Sequence, residues 1–159
     1  VKSALARSTG RLASGSLAIA AAMLGIMAGV VIYTVFQRYL LGKTPYWSEE
    51  LPRLLLIWMA FLGAIAAAVH GGHLSAGLLP LLIRGERVRR RFAVLRLTLT
   101  ALFSIVMFKA SFDLALLTSG QLTAALQISA SWAYAACAVG FAGLTIVSLS
   151  AILTRMPAE

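Results

Sequence analysis

Only five of the 159 residues are acidic, and two of them stand side by side in Tyr46-Trp47-Ser48-Glu49-Glu50-Leu51-Pro52-Arg53-Leu54-Leu55-Leu56-Ile57-Trp58. Carboxylates placed here can do helix-end chemistry. Ser48 can cap a helix by accepting from an early backbone N–H, and Glu49 and Glu50 then fall in the first turn, beside the positive end of the helix dipole. Pro52 fits that turn too, because its missing N–H breaks no internal bond there. Capping needs only one acidic residue, so the second asks for a partner. Glu49 and Arg53 are four apart and can pair on one face, whereas Glu50 points about 100° away round the axis. Tyr46 and Trp47 suit an interfacial aromatic belt, and Trp58 lies deeper. Two readings stay open for this group: plain interface chemistry, or a polar contact with another subunit.

Other residues that could do chemistry are isolated. His70-Gly71-Gly72-His73 invites a metal or haem reading, but there is no third histidine, and neither Cys137 nor an acidic cluster is near in sequence. A zinc site would need three or four ligands. A helix C-terminus explains the motif better, with Gly71 in a left-handed cap and His70 beside the negative dipole end. Lys109 and Asp113 are four apart and can neutralise each other near an interface. No GxxxxGK[ST] loop and no ordered acid, base and nucleophile set appears, so neither ATP hydrolysis nor another enzymatic activity is expected. The sequence suggests no cofactor and no metal. A single cysteine excludes an internal disulfide.

The elements that carry these residues follow from composition, which is 60% hydrophobic and 12% charged. A soluble globule of this size could not hide that much apolar surface. A membrane-spanning helix needs roughly 20 apolar residues, and the chain offers four such runs: Leu12 to Gln37, Leu54 to Val69, Phe92 to Leu117 and Trp132 to Leu153. Runs that are apolar all round exclude the alternating pattern of a lipid-spanning barrel. The expectation is an all-α integral membrane bundle, one domain over 1–159, with helices near 14–41, 48–70, 90–117 and 132–154. The first run is too long for a secretory signal, whose apolar core is about 7–15 residues, and it is read as an uncleaved span. No acidic residue falls at the midplane of any run, which argues against a self-sufficient proton-coupled exporter.

The net charge is +9, and its distribution indicates its purpose. Arg84, Arg87, Arg89, Arg90 and Arg91 crowd the connection between the second and third runs, with Arg96 just beyond. Lys2, Arg7 and Arg11 precede the first run, and Arg155 follows the last. With alternating spans all of these share one side, so the positive-inside bias puts both termini and the arginine-rich connection in the cytoplasm. Basic residues there can also meet anionic lipid. Nucleic acid is not expected, for want of interleaved aromatics. Small residues recur at helix-contact spacing: Gly25 and Gly29 form GxxxG, and Ala136 and Gly140 form small-xxx-small.

With these residues in view, Arg38 to Leu74, "RYLLGKTPYWSEELPRLLLIWMAFLGAIAAAVHGGHL", resembles the small DctQ-type membrane subunit of tripartite ATP-independent periplasmic (TRAP) transporters. The shared order is arginine, aromatic, Ser-Glu-Glu, Arg, Trp and Gly-Gly-His. Trp132 to Phe141, "WAYAACAVGF", is a second likeness. The chain departs from the family after Gly-Gly-His, where Leu74-Ser75-Ala76-Gly77 replaces a basic, an apolar and an Asp residue, and in "ACAVG", which lacks a common Pro.

The resemblance implies a multi-pass protein of the bacterial inner membrane. Its partners would be a large multi-spanning subunit that binds substrate and sodium, and a periplasmic binding protein that delivers organic acids. The small subunit would brace the large one. Trp47, Glu49, Glu50, Arg53 and Trp58 would then contact that subunit. A membrane anchor for a redox enzyme is the alternative from another class, and bound haem would distinguish it.

Overall fold

The structure is a computed structural model that describes residues 2–69 and 86–155. Among the described residues the regular elements are four α-helices: α1 (Lys2–Leu40), α2 (Glu50–Val69), α3 (Glu86–Leu117) and α4 (Ser131–Arg155). An isolated bridge pairs Leu122 with Ser129. Each helix contains a stretch long and apolar enough to cross a membrane: Thr9–Leu40, Glu50–Val69, Arg91–Leu117 and Ser131–Leu153.

Two helices start earlier than expected. α1 begins at Lys2 rather than near residue 14, because Lys2 to Ala13 is rich in Ala, Leu, Lys and Arg and holds no proline to stop it. Its 39 residues would extend about 58 Å at 1.5 Å per residue, well beyond a ~30 Å hydrocarbon layer, so α1 must tilt or project. α3 starts at Glu86 rather than near 90. α2 is assigned from Glu50 rather than 48, but the Leu51 N–H already donates to the Trp47 carbonyl at 3.1 Å. Its first helical turn therefore reaches back to the expected start.

The helices form an open row rather than a closed bundle, in the order α1, α2, α4, α3. α3 packs on α4, α4 on α2 and α2 on α1, while α1 touches α4 only thinly. Short links explain the pairs: residues 41–49 join α1 to α2, and 118–130 join α3 to α4. The two hairpins then meet along α2 and α4. In that seam Trp58 faces Trp132, Phe61 faces Phe141, and Ile65 faces Gly143. The register rises together on both helices, so α2 and α4 run parallel, and both described ends of the chain lie at the same end of the row.

Small side chains make these approaches possible. In lipid, apolar surface gains little by leaving other apolar surface, so helices associate through close van der Waals packing. The buried set is accordingly Ala13, Ser16 and Ala20 on α1, Ala66 on α2, Ala101, Ser104 and Ser111 on α3, and Ala136, Ala138 and Ser148 on α4, with Ile65, Leu144 and Val147 as the larger members. Phe61 of α2 fills the space a side chain at Gly140 would need, and Ile65 does the same at Gly143. A Cβ on Gly140 would stand 2.8 Å from both Cβ and Cγ of Phe61, and one on Gly143 would stand 2.7 Å from Cγ1 of Ile65. Phe141 carries the contact across the row, edge-on to Phe61 at 5.5 Å and to Phe103 of α3 at 6.0 Å. Such ring pairs add about 0.5–1.5 kcal/mol beyond burial.

The other small-residue motif behaves differently. A Cβ at Gly25 or Gly29 would meet nothing within 4 Å, so that face of α1 is unused inside this chain. Ser104, only 1% exposed on α3, has an Oγ with no hydrogen-bond partner. Smallness, not polarity, is what that position uses.

Replacing Gly140 by Ala should therefore lower the melting temperature of the detergent-solubilised chain, with an overpacking cost of about 1–3 kcal/mol. Gly25→Ala should leave melting unchanged or raise it, since alanine is the better helix former and its Cβ meets nothing there. Ser104→Ala should leave it unchanged or raise it, since an unpaired buried hydroxyl costs about 1–3 kcal/mol. A Gly140→Ala protein that melts with the parent would show that the α2–α4 seam is not a close contact.

Candidate functional site

The end of the row opposite the chain termini holds the Tyr46–Trp58 motif together with the 118–130 connection. The site starts where α1 stops. Gly42 adopts a φ of 63°, the left-handed turn glycine takes without strain, and the Leu41 and Lys43 N–H groups donate to the Gln37 carbonyl at 3.2 and 3.3 Å. The chain then runs to Pro45, whose carbonyl accepts from Ser48 N–H at 3.1 Å. α2 follows, with Pro52 inside its first turn, where its missing donor is harmless.

Glu50 does not turn back on its own helix. Its carboxylate reaches the α3–α4 connection, where Oε1 accepts from Ala125 N–H at 2.9 Å and Oε2 from Leu126 N–H at 2.8 Å. The connection is shaped to present those donors. Leu122 and Ser129 pair, the Thr123 N–H donates to the Ile128 carbonyl, and the Ala130 N–H to the Gln121 carbonyl, each at 2.8 Å. Gln127 has a φ of 54° and closes the tip by donating from Nε2 to the Ala124 carbonyl at 3.0 Å. Two successive amides at such a tip form a small anion nest, and the carboxylate occupies it. Charge-assisted bonds of this kind are the stronger class. At the base, the Ser129 hydroxyl donates to the Ser119 carbonyl at 2.8 Å and accepts from Ser131 N–H at 3.3 Å, tying the start of α4 to the end of α3.

Aromatic contacts extend the same cap. Trp47 stacks on Tyr33 of α1, 6.1 Å between centroids and 6° between planes, and the Gln37 amide donates to the Tyr33 hydroxyl. Trp58 packs against Trp132 at 6.5 Å. Glu50, Trp47 and Trp58 are thus half-buried and engaged within the chain, whereas Glu49 and Arg53 are exposed. Among the described residues no ion pair joins Glu49 to Arg53, nor Lys109 to Asp113, and both members of the second pair are also exposed.

The remaining candidates fall elsewhere. Arg87, Arg89, Arg90 and Arg91 belong to the first turns of α3, with Arg91 exposed, while Arg84 and His70 to His73 lie outside the described residues. Cys137 is half-buried on α4, its Sγ 3.6 Å from the Ala133 carbonyl. Among the described residues no three His, Cys, Asp or Glu side chains converge as metal ligands. Sequence reasoning missed Ala125 and Leu126, and nothing in those residue types could have revealed them, because the donors are backbone amides.

Residues 27–158 match the family model described as "Tripartite ATP-independent periplasmic transporters, DctQ component". No curated protein matches the chain.

The Glu50 clamp has a direct readout in amide exchange over residues 118–130. Glu50→Ala should raise exchange at Ala125 and Leu126 several-fold, and Glu50→Gln, which keeps one acceptor oxygen, should raise it less. Glu49→Ala should leave it unchanged. Equal protection in Glu50→Ala and the parent would remove the clamp as a structural element.

Proposed function

We propose, since the chain belongs to the DctQ component family of the tripartite ATP-independent periplasmic transporters, that it braces a large membrane subunit during sodium-driven uptake of organic acids. Family membership makes it a transporter component and not an enzyme, and implies association with the other components, a large membrane subunit and a binding protein. With four helices able to span the bilayer, it is a multi-pass membrane protein. In the proposal, the large subunit binds the carboxylate substrate and sodium, and a periplasmic binding protein delivers the substrate.

The observation that carries the bracing role is the open row itself. α2 and α4 are locked through glycine-sized contacts, and the outer helices show large apolar side chains along most of their length, Ile32 and Tyr39 on α1 and Leu102 and Phe103 on α3 among them. A slab of this kind offers a broad, stiff surface to lipid or to a neighbouring membrane protein. The Glu50 clamp holds one end together, which suits a part that stays still while its partner moves.

Orientation in the bacterial inner membrane follows from charge. The arginines at 84, 87, 89, 90 and 91 and the basic residues near both chain ends favour a cytoplasmic placement for that end of the row. The clamped end then faces the periplasm, where the binding protein arrives. Trp47, Glu49, Glu50, Arg53 and Trp58 form the proposed contact with the large subunit there. The exposed Glu49 and Arg53 touch it directly, while Glu50, Trp47 and Trp58 hold the presenting surface in shape.

The paired charge reversal Glu49→Lys with Arg53→Glu should reduce copurification of the large subunit and cut sodium-driven uptake several-fold, with the small subunit still folded by its melting curve. Unchanged retention and uptake would retire those two residues as contacts. Proteoliposomes holding this chain alone should accumulate no solute, and accumulation there would overturn the bracing role.

A further inference from the structure

At the end of the row that holds the chain termini, a groove of about 910 Å³ lies over α2 between α1 and α4. It exists because α1 and α4 touch only thinly while both pack on α2. Leu12 and Ile19 of α1, Leu62 of α2, and Val139 and Ile146 of α4 wall it, and Arg11 stands at its mouth. The wall is apolar even where a hydroxyl occurs, since the Ser16 Oγ turns back to the Ala13 carbonyl at 3.0 Å. Gly15 leaves the α1 side open, and a Cβ there would meet nothing within 4 Å.

We infer that this groove binds one anionic phospholipid, with an acyl chain along the apolar wall and the phosphate on the Arg11 guanidinium. The volume is within the roughly 300–1,000 Å³ of ligand sites. Position supplies the charge complementarity: the uncharged apolar run of α1 begins at Leu12, so Arg11, just before it, sits at the level of lipid headgroups while Ile19 and Leu62 lie further in. Arginine matches a phosphate in bidentate geometry, and basic pockets between membrane helices are a recurrent headgroup site. A helix from another subunit would fill the apolar wall equally well but would leave Arg11 needing an acidic residue at that one depth. The inference depends only on membrane embedding, and not on the bracing role proposed above.

Native mass spectrometry of the full-length chain, titrated in mild detergent with phosphatidylglycerol or phosphatidylcholine, tests it. The parent should carry one tightly held phosphatidylglycerol with a roughly five-fold preference over phosphatidylcholine, the factor expected for one basic residue near a lipid surface. Arg11→Gln should abolish the preference while leaving weaker binding of both lipids. Gly15→Leu, which projects into the groove from a position whose Cβ meets no protein atom within 4 Å, should remove the adduct, and Gly25→Leu, equally open but further along α1 and outside the groove, should not. Equal adducts in all variants, or no preference in the parent, would overturn the inference. So would a Gly15→Cys protein that cross-links to a partner chain in membranes in place of holding lipid.

Discussion

Hydrocarbon gives apolar side chains no reason to prefer one another over lipid tails, so membrane helices join only where their backbones can come close. The meeting of Phe61 and Ile65 with Gly140 and Gly143 satisfies that requirement between α2 and α4, and the rest of the row depends on it. Each neighbouring hairpin has its own short link to hold it together. Between the two hairpins, the seam is joined by the ring contacts of Phe61 with Phe141 and Trp58 with Trp132, and by the Glu50 carboxylate on the Ala125 and Leu126 amides.

The two ends of the row solve different problems. At one end, connections that leave the apolar layer must still satisfy their backbone groups, and the 118–130 hairpin does so partly through its own bridge and partly through Glu50. A carboxylate on α2 thereby fixes a loop that belongs to α3 and α4, and the cap resists relative motion of the two hairpins. At the other end α1 and α4 touch only thinly. The helices diverge and leave a groove that a flexible lipid can fill where a rigid side chain does not.

One end of the row is clamped and the other is grooved, in a chain that belongs to a transporter component family. Nearly all charge sits at helix ends or in connections, and the surfaces between are apolar. Such a body can stand in the bilayer with little conformational demand on itself, and its polar residues are free to organise its own loops and its contacts beyond the hydrocarbon.

The sequence by itself determined the number of spans, because a run of roughly 20 apolar residues has one low-energy state in lipid. It also indicated roughly where α2 starts, through the acidic pair and Pro52, but the expected Ser48 cap does not form among the described residues: the turn opens with the Leu51 N–H on the Trp47 carbonyl, and the Ser48 N–H donates to the Pro45 carbonyl. Tertiary structure decided which small-residue motif is a contact. Gly25 with Gly29 and Ala136 with Gly140 have the same spacing, yet only the second is packed, because α4 lies inside the row and the Gly25 face of α1 looks outward. It likewise decided what Glu50 does. The partner of that carboxylate is a pair of backbone amides 75 and 76 residues away, and every residue but proline carries such a donor. No side-chain pattern can mark them, and only the fold of the hairpin turns them toward the charge.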